Sequence, residues 1–199
     1  MRLGIFGGTF DPVHYGHLLL AEQCREQCRL DEVRFLPAGI PPHKADAKIS
    51  SGKDRVEMLR LAIGGQESLS IDQRELERSG KSFTYETLEE LRDEYSTREL
   101  FLIIGADSLR DFPTWRHPER ILAVANLAVV NRGGEPPPQL DSLKSLIGDD
   151  VESRTHLVTM PGMALASSDI RARVAAGQSI RFMTPRAVEC YIEAHGLYR

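Results

Sequence analysis

Short apolar runs alternate along the chain with longer stretches in which apolar positions recur at helical spacing. The short runs are bounded by turn residues and predict strands at 3–6, 33–37, 69–72, 100–104, 127–130 and 156–159. The longer stretches predict helices at about 16–28, 53–63, 84–94, 117–123, 168–176 and 185–194. Because strands that alternate with helices form right-handed βαβ units, the pattern predicts an α/β fold with a mainly parallel sheet.

The last helix carries signals at both of its ends. Thr184 is its expected N-cap, Pro185 takes the first helical position, and Gly196 follows the end. Two long connections, 38–52 and 132–141, interrupt the otherwise short loops. Long loops in compact domains often bind ligands, although the proline run at 136–138 also suits a surface excursion.

The connection between the first strand and the first helix has the features of a phosphate site. Gly7 and Gly8 let the backbone turn sharply and approach a ligand closely, and Thr9 adds a hydroxyl donor. The helix start offers unpaired N–H groups, and His14 and His17, three residues apart, can point to the same place. This is neither a Walker A loop nor a dinucleotide fingerprint, because their glycine and lysine spacings are absent.

A second phosphate-type site is predicted at Ser167, Ser168 and Arg171. Either serine can cap the helix that follows, which would place Arg171 in the first turn. A cation there opposes the helix dipole at a cost of about 0.3–1 kcal/mol. An anion beside Arg171 would offset this cost, although screening by solvent would also reduce it.

Further polar residues follow the ends of other predicted strands: Lys44, Gly105, Asp107 and Arg132. Ligands of open parallel sheets bind beyond the carboxyl ends of the strands, so we expect these residues to share one edge with the histidines. Trp115, the single tryptophan, suits either the core or a platform for a flat ring. Thr84 and Tyr85 begin a helix and could donate to a ligand, although Thr84 suits helix capping almost as well.

Composition narrows the class of protein. The chain has 199 residues, 41% of them hydrophobic, and a net charge of −4, which suits a single globular domain. Such a charge does not suit a protein that coats nucleic acid or a membrane, and no stretch approaches the roughly 18 apolar residues of a membrane span. Neither a secretory signal nor a metal-ligand cluster is evident. The chain has three cysteines, Cys24, Cys28 and Cys190, and an odd number cannot all pair with one another. This fits a reducing compartment, so a cytoplasmic location is expected.

With these motifs in hand, the chain resembles the nucleotidyltransferase superfamily that carries the His-x-x-His signature. More closely, it is similar to bacterial nicotinate-nucleotide adenylyltransferases. The resemblance covers nearly the whole chain and rests on residues 7–17, 41–44, 82–88, 105–107, Trp115, 131–132, 167–171 and 196–199. The second motif of this family often reads Ile-Ser-Ser-Thr-x-Ile-Arg. Here Ala166 replaces the first serine, which removes one hydroxyl.

The resemblance implies a Rossmann-like, doubly wound sheet with helices on both faces. It implies transfer of the adenylyl group of ATP to nicotinate mononucleotide, which gives deamido-NAD and pyrophosphate. Mg²⁺ would enter with ATP, held by the phosphates, with no dedicated protein site. The expected partners are these small molecules, without nucleic acid or membrane. Preference for nicotinate over nicotinamide mononucleotide stays open, as does assembly into a homo-oligomer.

The expected roles divide between the two substrates. His17 would stabilise charge on the α-phosphate, and His14, Ser168 and Arg171 would hold the β- and γ-phosphates. Asp107 would lie by the ATP sugar and base. The remaining ATP or phosphate contacts are assigned to Gly7, Gly8, Thr9, Phe10, Gly105 and Ser167. By resemblance, nicotinate mononucleotide would be held by Lys44, Thr84, Tyr85, Trp115 and Arg132, with Lys44 also drawing the two anions together.

Three alternatives share some of these motifs. Adenylyl transfer to phosphopantetheine, or cytidylyl transfer to an alcohol phosphate, would use the first motif without the 82–88 and Trp115 segments. A class I aminoacyl-tRNA synthetase fragment would need a basic RNA-binding lobe and a lysine-rich second signature, which this short chain lacks. A nucleotide sensor could keep the glycines but has no need of His14, His17, Lys44 and Arg171 together.

Overall fold

A six-stranded parallel sheet organises the molecule, seen in a computed structural model that describes residues 1–39, 49–133 and 139–199. Each pair of neighbouring strands is parallel, and the order across the sheet is β3-β2-β1-β4-β5-β6. The strands are β1 (Arg2–Gly8), β2 (Glu32–Pro37), β3 (Leu69–Ile71), β4 (Glu99–Gly105), β5 (Ala125–Arg132) and β6 (Thr155–Met160). This order is that of a doubly wound Rossmann-like sheet, as predicted.

Helices connect the strands within the described ranges. They are α1 (Tyr15–Gln27), α2 (Gly52–Ile63), α3 (Arg74–Glu77), α4 (Thr84–Glu94), α5 (Ala106–Asp111), α6 (Pro118–Val124), α7 (Asp141–Ile147), α8 (Val151–Arg154), α9 (Ser167–Ala175) and α10 (Arg186–Ala194). Short 3₁₀ segments add Phe112–Thr114 and Gly148–Asp150. Every predicted strand and helix is present with bounds shifted by a few residues. The helices that the pattern missed are α3, α5, α7 and α8, which have between four and seven residues and therefore show at most a weak helical period.

The strands divide their side chains between two apolar layers, because successive side chains of a strand point to opposite faces. In β4, Phe101 and Ile103 join the core on one face, whereas Leu100 and Leu102 join the core on the other. The first core, which we call the α1 core, also contains residues of α1, α2, α9 and α10. The second, the α4 core, contains residues of α4, α5, α6 and α7.

The strand order reverses between β1 and β4, which are paired although they are not consecutive in the chain. The chain winds outward from β1 to β3 on one side and from β4 to β6 on the other. A crevice therefore opens beyond the carboxyl ends of these two strands, where ligands of doubly wound folds bind. Gly7 and Gly8 end β1, and Gly105 ends β4. The glycine motif selected from the sequence thus lies at this switch point.

The start of α10 differs from its prediction. Pro185 is the N-cap and Arg186 the first helical residue. Thr184 is not the cap, because its hydroxyl donates instead to the carbonyl of Val13 at 2.7 Å. Gly196 does follow the helix with a φ of 60°, a left-handed conformation that glycine adopts at low cost.

All three cysteines lie within the described residues. Cys24 and Cys28 lie buried in the α1 core, Cys190 is exposed, and all three are free thiols. Within the ranges that the structure describes, no helix combines the length and apolar character needed to cross a bilayer.

Candidate active site

The loop after β1 contains a buried aromatic side chain, that of Phe10. Phe10 has a φ of 50°, unusual for a residue with a side chain, and only 2% of its surface is exposed. Its ring packs edge-on against Phe35 and against the imidazole of His17, with centroids 5.1 Å apart in the latter pair. The side chain of Phe10 therefore supports His17 from the core, and contact of Phe10 with a nucleotide is limited to its backbone.

The two glycines before this loop have different surroundings. A Cβ added at Gly8 would lie 2.8 Å from the ring of Phe10, so a side chain there would displace that ring. A Cβ added at Gly7 or at Gly105 would meet no atom within 4 Å. Gly7 and Gly105 therefore leave open space on the two strands that flank the crevice, as the close approach of a ligand to the backbone requires.

His14 and His17 form a reciprocal cap at the start of α1. The N–H of His17 donates to Nδ1 of His14, the N–H of His14 donates to Nδ1 of His17, and both distances are 3.3 Å. The rings stack with centroids 3.7 Å apart and an interplanar angle of 17°. Because Nδ1 of each ring accepts, the proton of each neutral ring resides on Nε2. The capping geometry thus presents two Nε2–H donors side by side.

The second motif begins α9 but does not cap it as predicted. The N-cap is Ala166, and neither Ser167 nor Ser168 is the cap. The hydroxyl of Ser167 donates instead to the carbonyl of Pro12 at 2.9 Å. Since α9 begins at Ser167, Arg171 is its fifth residue and lies in the second turn, where the helix dipole opposes a cation less than in the first.

One cleft of about 320 Å³ joins the two motifs. Its lining includes His14 and His17 from the start of α1, and Ser167, Ser168 and Arg171 from α9. Gly16, Leu20, Met160, Met163, Leu165 and Ala166 complete the lining. Two imidazoles, the hydroxyl of Ser168 and a guanidinium therefore converge on a hollow that borders two helix starts, a set of donors that suits a polyphosphate. The predicted phosphate contact of Ser167 would not use its hydroxyl hydrogen, which is donated to Pro12.

Four residues with no predicted ligand contact fix the loop behind this cleft. Asp11 is 2% exposed, and its carboxylate accepts from the hydroxyl of Tyr198 at 2.6 Å. Arg55 is 3% exposed and donates to the carbonyl of Thr9 at 2.9 Å. Thr184 holds Val13, as described above. Arg55 stands at an apolar position of α2. That position was the one signal in the sequence for a buried contact, because a charged residue is rarely buried without a partner.

Comparison with known proteins shows the family of the chain. The cytidylyltransferase-like family matches residues 5–173. A protein of Rhodopirellula baltica named probable nicotinate-nucleotide adenylyltransferase is 44% identical, with 99% of this chain and 93% of the relative covered. A protein of Thermomicrobium roseum with the same name is 46% identical, with 100% and 92% covered.

The chain belongs to the nicotinate-nucleotide adenylyltransferase family. Its fold also matches the solved structure of Plasmodium falciparum nicotinic acid mononucleotide adenylyltransferase complexed with NaAD, with a TM-score of 0.79. That match covers 99% of this chain and 97% of the other at 19% identity, so it shows the shared fold alone.

Three of the residues that the family resemblance assigned to the acceptor, Thr84, Tyr85 and Trp115, lie on the other face of the sheet. Thr84 is the first residue of α4, and its N-cap, Phe83, has no side-chain acceptor. Tyr85 is buried in the α4 core, and its hydroxyl donates to Glu86 at 2.9 Å. The side chain of Tyr85 is thus engaged within the protein, which leaves the N–H groups at the start of α4 as the donors of this segment.

Trp115 and Asp107 are also placed by the structure. Trp115 is half-buried against the α4 core and packs on Phe112, with centroids 5.3 Å apart. The structure therefore shows that Trp115 packs in part against the core, and its role as a platform for a flat ring stays a prediction. Asp107 follows Gly105 at the start of α5 and forms an ion pair with Arg110 on the surface. None of these residues lines the cleft of the histidines.

Lys44 lies outside the described residues, as do Pro41, Pro42 and His43 of the same motif. Arg132 ends β5, but its side chain is likewise outside the described part of the structure. Both residues keep their assigned roles as predictions. In the described ranges, no group of three or more His, Cys, Asp or Glu side chains could hold a metal ion.

Proposed function

We propose that the chain transfers the adenylyl group of ATP to nicotinate mononucleotide and releases deamido-NAD and pyrophosphate. Family membership and the names of the relatives support this activity. The structural observation that carries it is the cleft where His14, His17, Ser168 and Arg171 converge beside the switch point of the sheet. One domain would bind both substrates.

In the proposed reaction, a phosphate oxygen of nicotinate mononucleotide attacks the α-phosphorus of ATP. A new P–O bond forms, the bond from the α-phosphorus to the bridging oxygen breaks, and its electron pair leaves with pyrophosphate. The attacking oxygen belongs to a phosphate monoester that is already anionic at neutral pH, so the site needs no general base. Catalysis then consists of positioning and of stabilising charge that develops in the transition state.

The histidine pair supplies donors for that charge. We assign the Nε2–H of His17 to a non-bridging oxygen of the α-phosphate. The Nε2–H of His14, the hydroxyl of Ser168 and the guanidinium of Arg171 would bind the β- and γ-phosphates. Because the reciprocal cap holds both rings before ATP arrives, the donors need little reorganisation when charge develops.

The acceptor would bind across the crevice, against the α4 face. The start of α4 lacks a side-chain cap, so its first N–H groups and the positive end of its dipole suit a carboxylate. Nicotinate carries that carboxylate, whereas nicotinamide carries a neutral amide, and this difference favours the nicotinate nucleotide. Trp115 would pack on the pyridine ring, and Lys44 and Arg132 would neutralise phosphate charge.

Mg²⁺ would arrive as part of the substrate, bound to the phosphates of ATP, since the described residues provide no metal site of their own. The proposed setting is the cytoplasm, where the three free thiols would stay reduced. Assembly into a homo-oligomer is compatible with this function and is not needed for it.

Release of pyrophosphate tests the proposal. The protein is incubated with Mg²⁺ and ATP together with nicotinate mononucleotide, nicotinamide mononucleotide or phosphopantetheine, and CTP replaces ATP in a parallel series. We expect the highest kcat/KM for ATP with nicotinate mononucleotide. Higher kcat/KM with phosphopantetheine or with CTP would replace this function by one of the alternatives. Binding of ATP without pyrophosphate release from any acceptor would indicate a nucleotide sensor.

A further inference from the structure

The loop 9–13 is held through its backbone carbonyls by side chains that are distant in sequence. Arg171 donates from Nη1 to the carbonyl of Asp11 at 2.7 Å. The next two carbonyls accept from Ser167 at 2.9 Å and from Thr184 at 2.7 Å, as described above. Three consecutive carbonyls are thus fixed by α9 and by the segment before α10. The position of the loop and the position of Arg171 therefore depend on each other.

The carboxylate of Asp11 lies at the centre of this arrangement and is almost fully buried. One oxygen accepts from the hydroxyl of Tyr198 at 2.6 Å, and the other accepts from the N–H of Ser50 at 3.2 Å. The hydroxyl of Tyr198 also contacts the sulfur of Met58 at 3.9 Å. A residue beside the end of the chain thereby reaches the loop that connects β1 to the histidine pair.

Charge explains why this buried group is tolerated. Arg55 is buried nearby and donates to the carbonyls of Thr9 and Ser50 at 2.9 and 3.2 Å. Burial lowers the pKa of Arg55, and the charge of Asp11 opposes that shift. Burial and the hydrogen bond to Asp11 raise the pKa of Tyr198, so its hydroxyl stays protonated and remains a donor over the neutral range.

We infer that Tyr198 is a positioning residue for adenylyl transfer: its hydroxyl fixes Asp11 and the loop 9–13, and the loop fixes Arg171 and the histidine pair. The inference rests on the proposed function. Within the described ranges, no hydrogen bond joins Tyr198 to a residue that lines the cleft, so Tyr198 acts through Asp11. Loss of its hydroxyl lets the loop carbonyl that receives Arg171 shift, which misplaces a phosphate donor while leaving both substrate pockets in place.

The test compares two tyrosines that each donate to an aspartate. Tyr198→Phe removes the donor to Asp11, and Tyr191→Phe removes a donor to Asp54 at 2.9 Å, outside the loop. We expect Tyr198→Phe to lower kcat by about 10-fold to 100-fold, as small misplacements do. KM for both substrates should change by less than about threefold, because the lost interaction serves the transition state. Tyr191→Phe should keep the kcat of the unmodified protein.

A double-mutant cycle with Arg171→Ala separates positioning from general stability. If Tyr198 acts through the loop that holds Arg171, the kcat penalty of Tyr198→Phe is smaller in the Arg171→Ala background than in the unmodified protein, and the penalty that remains belongs to the histidine pair. All variants are assayed at a temperature at which circular dichroism shows them folded. Equal kcat for Tyr198→Phe and Tyr191→Phe, or full additivity in the cycle, overturns the inference. Absence of pyrophosphate release by the unmodified protein would instead overturn the proposed function.

Should Tyr198→Phe fail to fold, Asp11→Asn provides the second measurement. Asparagine keeps the size of the side chain and one oxygen, but it replaces an acceptor by a donor facing Ser50 or Tyr198. The same fall in kcat with nearly constant KM is expected. An unchanged kcat for this variant contradicts the role given to the Asp11 carboxylate, and with it the role of Tyr198.

Discussion

His14 and Ala166 occupy the N-cap positions of the two helices that border the cleft, but only His14 supplies a side-chain acceptor. The imidazole of His14 binds the N–H of His17, the third residue of α1. Ala166 has an extended backbone, with φ −130° and ψ 144°, and no oxygen to perform the same task for α9. The cap side chain therefore satisfies none of the first N–H groups of α9, although the N–H of Asp169 donates to the carbonyl of Ala166 at 3.1 Å.

Ala166→Ser should supply the missing cap, since serine at an N-cap is more stable than alanine by about 0.5–2 kcal/mol. For a chain of this length, each 1 kcal/mol shifts Tm by about 2–4 °C. Differential scanning calorimetry should therefore show a rise of a few degrees. Ala176→Ser, at the opposite end of the same helix, is the control and should leave Tm unchanged. Equal shifts for the two variants would contradict the capping argument.

His17→Ala should lower kcat by at least about 100-fold. The imidazole is the donor assigned to the α-phosphate, and loss of one donor to developing charge costs roughly 2.7–4 kcal/mol. The measurement is steady-state release of pyrophosphate from ATP and nicotinate mononucleotide. His195→Ala, at an exposed position after α10, provides the matched loss of an imidazole and should retain the full rate. An unchanged kcat for His17→Ala would remove His17 from the mechanism.

The elements of this fold could be predicted wherever they are long enough to show a period. Strands β1, β2, β4 and β5 are buried apolar runs, and α2 and α4 have the spacing of amphipathic helices. Helices such as α3, with four residues, carry no such signal. The predicted helix caps were wrong, because the hydroxyls of Thr184 and Ser167 donate to the distant loop 9–13. No local sequence pattern predicts such a contact.

The part of the candidate site that lies in short sequence motifs could be predicted. The histidine pair and the serine–arginine segment line one cleft, as their shared preference for anions suggested. The buried support behind them was not predictable. Tyr198 and Asp11 are separated by 187 positions, and Arg55 and Thr9 by 46, so only the folded structure brings these residues together.

Glu75→Gln should stabilise the protein at neutral pH. Glu75 is 7% exposed, and burial raises the pKa of its carboxyl, although the hydroxyl of Thr87 donates to it at 2.9 Å. A carboxyl whose pKa is raised on folding favours the folded state below its ordinary value of 4.5, and that advantage is lost as pH rises through the folded value. Glutamine stays neutral, so Tm of the variant should exceed that of the unmodified protein at about pH 8 and match it near pH 4.

Asp72→Asn provides the contrast of opposite sign. Burial acts to raise the pKa of Asp72, but hydrogen bonds from Arg74 and the charges of Arg74 and Arg34 outweigh it, so the pKa lies below its usual value. This carboxylate stabilises the fold above its ordinary pKa of 3.8, and the stabilisation is lost as pH falls through the folded value. Asp72→Asn should therefore lower Tm near neutral pH and lose its effect in acid. Parallel pH profiles for the two variants would contradict both assignments.

Gly7→Ala distinguishes a glycine kept for the ligand from one kept for the fold. Since a Cβ at Gly7 meets no atom within 4 Å, alanine should leave Tm within about 1 °C. The same methyl group would occupy the open space at the end of β1 that the nucleotide is proposed to fill. KM for ATP should therefore rise by at least about tenfold, a loss of roughly 1.4 kcal/mol in binding. Gly64→Ala, at the distant end of α2 with φ −52°, is the control and should change neither quantity. If KM for ATP is unchanged in Gly7→Ala, the nucleotide does not approach the end of β1. The phosphates would then bind in the cleft mainly through the residues of α9.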